Sequence, residues 1–209
     1  MNIQLDLRCR SRAYARFFLP ALGLTWLASV AVCFGALFNY QTAPGHIGTV
    51  PVSLPADSQI EQASHQPTLI MFAHPRCPCT RASVGELARI MTSSQDCVRA
   101  YVVFHVPESA TREWVATDLV AKALAIPGVF VKHDPGGIET RRFRIKTSGH
   151  VLLYDKAGRL SFSGGITSAR GHAGDNEGSR KLIARIKANP STERAEQIVF
   201  GCPILDEWK

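Results

Sequence analysis

Between Phe17 and Phe38 the chain runs for 22 residues, FFLPALGLTWLASVAVCFGALF, without one charged side chain. As a helix at 1.5 Å per residue, such a run reaches roughly 33 Å, about the thickness of a bilayer core. Arg8, Arg10, Arg12 and Arg16 precede it against Asp6 alone, so this short segment holds three of the seven net positive charges. By the positive-inside rule, residues 1–16 are expected in the cytoplasm and the chain after residue 38 outside it. A cleaved signal peptide is the competing reading. Its apolar core covers only about 7–15 residues and ends at small residues, whereas this run is longer and ends in ALFNYQ. The expectation is therefore a single-pass anchor over 17–38, with an exported domain beyond it.

The remainder has an ordinary globular balance. The chain is 45% hydrophobic and 20% charged, which argues against wholesale disorder. No dense basic patch interleaves with aromatics, so nucleic acid is not an expected partner. Of six cysteines, Cys9 falls on the cytoplasmic side and Cys33 in the apolar run. Cys77, Cys79, Cys97 and Cys202 are left outside, an even number in a compartment where disulfides persist.

Residues 39–65, with Pro44, Pro51 and Pro55, read as a linker holding one short strand at TVPVSL. A compact domain is expected over 66–209. TLIMFA and AYVVFHV are continuous apolar runs of strand length, suited to strands buried on both faces. GVFVKHD is a weaker third. SVGELARIM and REWVATDLVAKALAI carry apolar residues at helical spacing, the second stopped by Pro127 and Gly128. HVLLYDKAGRLSFSG reads as a hairpin around Lys156-Ala157-Gly158. EGSRKLIARIKAN is a last helix that Asp175 or Asn176 can cap, with Pro190 after its end. Strands alternating with helices imply an α/β domain with a central mixed sheet covered on both faces.

The chemistry concentrates in HPRCPCTR, between the first strand and its helix. Pro78 suits the first helical position, which makes Cys77 the N-cap and Cys79 the second helical residue. Free N–H groups and the positive end of the helix dipole lie there. Both favour thiolate over thiol, and Arg76 and Arg81 add positive charge, so Cys77 is expected to be an acidic nucleophile. Residues two apart on a helix do not face each other. A Cys77–Cys79 disulfide would therefore be strained and easily reduced.

LIMFAHPRCPCTRASVGELARIM resembles the active-site strand and helix of the thioredoxin-like superfamily, and TSGHVLLYDKAGRLSFSGGIT resembles that fold's closing hairpin. CPCT together with GGITSARGHAGDN is similar to a bacterial membrane-anchored branch associated with the name RedB. The likeness covers roughly residues 66–190. It implies a thioredoxin-like fold in which Cys77 takes the exposed, attacking position. The loop after the hairpin would flank the cysteines and lend Arg170 or His172 as a charge partner or acid–base group. The family's C-x-x-C reads C-x-C here, with Thr80 where the second cysteine would stand. The usual cis-proline position reads Thr147-Ser148-Gly149, the expected substrate-docking segment. Peroxiredoxin chemistry lacks its threonine three residues before Cys77.

The expected function is exchange of thiols and disulfides with exported proteins or a membrane redox partner. Cys77 attacks, Cys79 resolves and Arg76 stabilises the thiolate, with no cofactor. A copper-delivery protein is the rival of a different class, with Cys77, Cys79 and His172 holding Cu(I). A degenerate binding domain is the third. Cys97 and Cys202 are expected to pair as a structural staple, the alternative being that Cys202 resolves a bond to Cys77.

Overall fold

The computed structural model describes residues 3–94, 96–187 and 194–205, apart from the side chains of residues 3–16 and Arg112. Two units are separated, Met1–Gln41 and Thr42–Lys209. The first is helix α1 (Ile3–Thr42), which continues through Pro20 and beyond the uncharged run. Phe17–Thr42 is long and apolar enough to cross a membrane, with a mean hydropathy of 2.0. The hydroxyls of Thr25 and Ser29 donate to the carbonyls of Ala21 and Thr25 at 2.9 and 2.8 Å. These two polar groups are thus satisfied within the helix itself.

The second unit is built on a six-stranded sheet. Its elements are β1 (Thr68–Ala73), α2 (Pro78–Ser94), β2 (Arg99–Val106), a 3₁₀ turn (Arg112–Trp114), α3 (Asp118–Leu124), β3 (Val129–Pro135), α4 (Ile138–Arg142), β4 (His150–Tyr154), β5 (Leu160–Gly164), α5 (Glu177–Lys187) and β6 (Ala195–Glu196). The strand order is β3-β2-β1-β4-β5-β6. β1–β2, β2–β3 and β5–β6 are parallel, while β4 runs antiparallel to both β1 and β5. The sheet is mixed, as the element order implied.

The unbroken apolar run of β1 has a direct cause. Leu69, Met71 and Ala73 face one core, with Leu87 and Ile90 of α2 and Leu182 of α5. Ile70 and Phe72 face the other, with Phe143, Leu152 and Tyr154. A strand in the middle of the sheet has no solvent face, and each large side chain buried there contributes about 1.5–3 kcal/mol.

Two local expectations change. The helical pattern of REWVATDLVAKALAI breaks after Trp114, because the Thr117 hydroxyl accepts from Val120 N–H at 3.3 Å and starts α3 afresh. Much of the stretch 39–65, expected as a linker, packs on the domain from residue 42 onward. Val50, Ile60 and Ala63 are buried, and Tyr154 donates its hydroxyl to the Pro51 carbonyl at 3.1 Å. Helix α4 had no expectation. It is started by buried Asp134, whose carboxylate accepts from Glu139 N–H (2.8 Å), Thr140 N–H (2.9 Å) and the Thr140 hydroxyl (2.6 Å). Asp134→Ala leaves these donors unmet and is expected to cost about 2–4 kcal/mol in urea unfolding. A loss under 0.5 kcal/mol would mean that water replaces the carboxylate.

Fully buried His150 on β4 sets a pH dependence. Its Nε2 lies 2.9 Å from the Ser163 hydroxyl. Burial, helped by the Arg194 charge, lowers its pKa to about 4. The unfolded chain takes up a proton near pH 6.5, before the folded chain does. Stability is therefore lost as pH falls from about 6.5 to about 4, by about 3 kcal/mol in all, with no further loss below. Urea titrations at pH 7, 5.5 and 4 should show this slope in the wild type and a flatter one in His150→Gln.

Candidate functional site

β1 ends at Ala73, and Cys77 N–H donates to the His74 carbonyl at 3.1 Å in the turn that follows. Helix α2 begins at Pro78, so Cys77 directly precedes it and Cys79 is its second residue. The Sγ atoms of Cys77, Cys79 and Cys202 lie within 4.8 Å of one another. All three are free thiols and are buried, at 2%, 7% and 3% exposure. Cys77 is thus covered, contrary to the expectation that it would be exposed.

The cover is the C-terminal segment. After β6 the chain brings Cys202 beside Cys77 and Cys79, and the Cys202 carbonyl accepts from Ser148 N–H at 2.8 Å. Ile204 N–H donates to the Lys146 carbonyl at 3.1 Å, and Thr147 pairs with Pro203 as an antiparallel bridge. Residues 202–204 thereby lie along 146–148 as an added strand would. Gly201 permits the approach, because a Cβ there would overlap the Ser148 carbonyl oxygen.

This arrangement changes the reading of Thr147-Ser148-Gly149. The segment is not an open docking surface. The Thr147 hydroxyl donates to the His46 carbonyl at 2.7 Å. The Ser148 hydroxyl accepts from His74 N–H at 2.8 Å and sits 2.6 Å from the Thr80 hydroxyl. Gly149, at φ +89°, donates its N–H to the Phe72 carbonyl at 2.8 Å. Together these residues buttress the turn that carries Cys77.

Cys77 is the sulfur of the three that favours the thiolate. Its pKa is held far below the ordinary thiol range by hydrogen bonds from the Cys202 and Cys79 thiols. The Thr80 hydroxyl and N–H add to this and together outweigh burial. Thr80 N–H is the third amide of the helix, the donor that an N-cap side chain normally meets. Cys202 is pushed well up, because it donates to Cys77 and Cys79 and is buried beside their charge. Cys79 is lowered by its bond from Cys202. Its bond to Cys77, burial and the Cys77 charge outweigh that and raise it overall, against a lowering from Arg170.

Among the expected partners, the exposed Arg76 turns elsewhere. Its guanidinium stacks 4.1 Å from the centroid of Trp114, which also packs on His74. Arg170 is the cation that acts on the cluster, through Cys79, and its guanidinium donates to the Gly201 carbonyl. His172 is exposed, with Nδ1 2.9 Å from the Arg170 carbonyl, and is not among the three converging ligands.

The Cys97–Cys202 staple is overturned. Parallel pairing sets Thr68 beside Arg99 and Ala73 beside Phe104. Cys97 therefore lies at the opposite end of the sheet from Cys77, roughly 20 Å away at about 3.3 Å per residue. It is exposed there, beside a cleft of about 690 Å³ that His65, Asp155 and Arg185 also line.

The strand order, the antiparallel β4–β5 hairpin and the cysteine-bearing turn from β1 to α2 define a thioredoxin-like fold. The chain is similar in fold to a hypothetical protein of Sinorhizobium meliloti, 18% identical with a TM-score of 0.56 over 80% of this chain and 96% of that one. It is likewise similar to an uncharacterized conserved protein of Geobacillus kaustophilus, 16% identical with a TM-score of 0.57 over 80% and 94%. A secreted Mycobacterium tuberculosis disulfide oxidoreductase is more distant, 15% identical with a TM-score of 0.44 over 59% and 81%. No family model and no curated protein matches the chain.

Proposed function

We propose that the domain is a membrane-tethered, periplasmic thiol–disulfide oxidoreductase in which Cys77 attacks and Cys202 resolves. The observation that carries this reading is the convergence of three buried thiols on the start of α2. Cys79, expected to resolve, is less suited, because a bond between residues two apart must distort the first helical turn. Cys202 comes from a separate segment and can close on Cys77 without bending α2.

The Cys77 thiolate attacks a disulfide of an exported protein or a membrane redox partner. A mixed disulfide forms and one partner thiolate leaves. Cys202 gives its proton to that thiolate and attacks the Cys77 sulfur. The second partner thiolate leaves, so the partner is reduced and Cys77–Cys202 oxidised. The reverse sequence oxidises a dithiol partner. Because Cys77 is buried, residues 200–204 must lift for the first attack.

The test equilibrates the full chain in detergent with glutathione buffers of set poise, traps thiols by alkylation and locates them by mass spectrometry. A stabilised thiolate favours the reduced form, so the couple should lie above about −270 mV, the thioredoxin value. Cys77 and Cys202 should titrate together. Thiols that stay reduced across the whole range would sink this reading and leave a binding domain.

A further inference from the structure

Exchange uses two sulfurs at a time, and the cluster has three. Cys77 and Cys79 come from the start of α2 and Cys202 from the C-terminal segment, all buried with Sγ atoms within 4.8 Å. Sulfurs bound at about 2.3 Å around one ion in a plane stand roughly 4 Å apart, so each need move inward by only about 0.5 Å. Among the described residues no His, Asp or Glu joins the three. A closed, all-protein tetrahedral zinc site therefore lacks its fourth ligand, whereas soft thiolates in threefold array suit a monovalent soft ion. The excess negative charge has two partners already in place: the positive end of α2, with Thr80 N–H on Cys77, and the Arg170 guanidinium that acts on Cys79. The burial of all three cysteines would shield such an ion from water and oxidants.

We propose that the reduced cluster binds one Cu(I) ion through the sulfurs of Cys77, Cys79 and Cys202. The ligand set differs from that expected from sequence, since Cys202 stands in the place given to His172. The site goes beyond the exchange reading. It needs all three thiols reduced, so copper and the Cys77–Cys202 disulfide exclude each other.

The experiment titrates reduced full-length protein in detergent, without oxygen, with Cu(I) against the coloured chelator bicinchoninate. One equivalent should be withheld from the chelator, and X-ray absorption should show three sulfur neighbours at about 2.3 Å. Cys202→Ser and Cys79→Ser should each weaken retention about 100-fold or more, while His172→Ala and Cys97→Ser match the wild type. Near-ultraviolet circular dichroism checks each fold, and Cys79→Ser decides if Cys202→Ser loses its tertiary signal. Copper left wholly to the chelator overturns the proposal. So does wild-type retention in a folded Cys202→Ser or Cys79→Ser protein, or zinc taken in preference to copper. Glutathione titration of the same preparations reads disulfide formation separately, so either reading can fail alone.

Discussion

Cys77→Ser is expected to lower disulfide exchange by about 100-fold or more, while Cys97→Ser leaves it within about twofold of wild type. An ordinary thiol near pKa 8.5 is only a few per cent thiolate at pH 7. Cys77 is the one sulfur of the cluster whose pKa is driven down, by donors from Cys202, Cys79 and Thr80. Removing it takes away the sulfur on which the Cys79, Cys202 and Thr80 donors converge. Neither remaining thiol sits at the cap position, directly before Pro78. Cys97 is exposed at the far end of the sheet and touches none of this. The measurement is the rate of reduction of a disulfide-linked fluorescent peptide by each reduced protein. Equal losses in the two variants would mean that exchange does not run through the cluster.

Gly201→Ala should be the most damaging single methyl group near the site. The new Cβ would overlap the Ser148 carbonyl oxygen and stand 3.0 Å from Thr147 Cγ2. Neither a backbone oxygen nor a buried β-branched side chain can turn away cheaply. The segment must back off, and the 2.8 Å bond from Ser148 N–H to the Cys202 carbonyl is lost with it. Overpacking and the broken pairing together should cost about 2–4 kcal/mol. Cys202 should also become open to alkylation under native conditions. Mass spectrometry after a brief iodoacetamide pulse, beside a urea titration, checks both effects. Unchanged stability with Cys202 still protected would mean that the segment does not hold the third thiol in place.

The first strand, the cysteine turn, helix α2 and the hairpin were legible, because each is written in contiguous residues. Apolar TLIMFA, then Pro78 at a helix start, then a four-residue turn with Gly158 at φ +74° are local signals. So is the cap of α5, where Asn176 Oδ1 accepts from Ser179 N–H at 2.8 Å. What escaped was non-local. Helix α4 depends on Asp134, which reads as an ordinary strand residue. The burial of Val50 and Ile60 depends on a groove that exists only after the sheet forms. Cys202 sits in GCP near the end of the sequence, and nothing in that tripeptide says which strand it will lie against. The even count of four outer cysteines did signal that Cys202 has a use, and the parallel register of β1 and β2 removes Cys97 as its partner. Arg170 and Arg76 are equally basic in sequence. Only the stacking of one on Trp114 and the reach of the other to Gly201 separates them.

The path of residues 197–204 also orders events during biosynthesis. Strand β1 and helix α2 leave the ribosome early, carrying Cys77 and Cys79, whereas Cys202 follows after every strand of the sheet. A nascent chain stopped short of Gly201 therefore carries two reactive sulfurs at an open helix end, with neither the third thiol nor its cover. The finished site thus forms only after the last described strand of the sheet has been made.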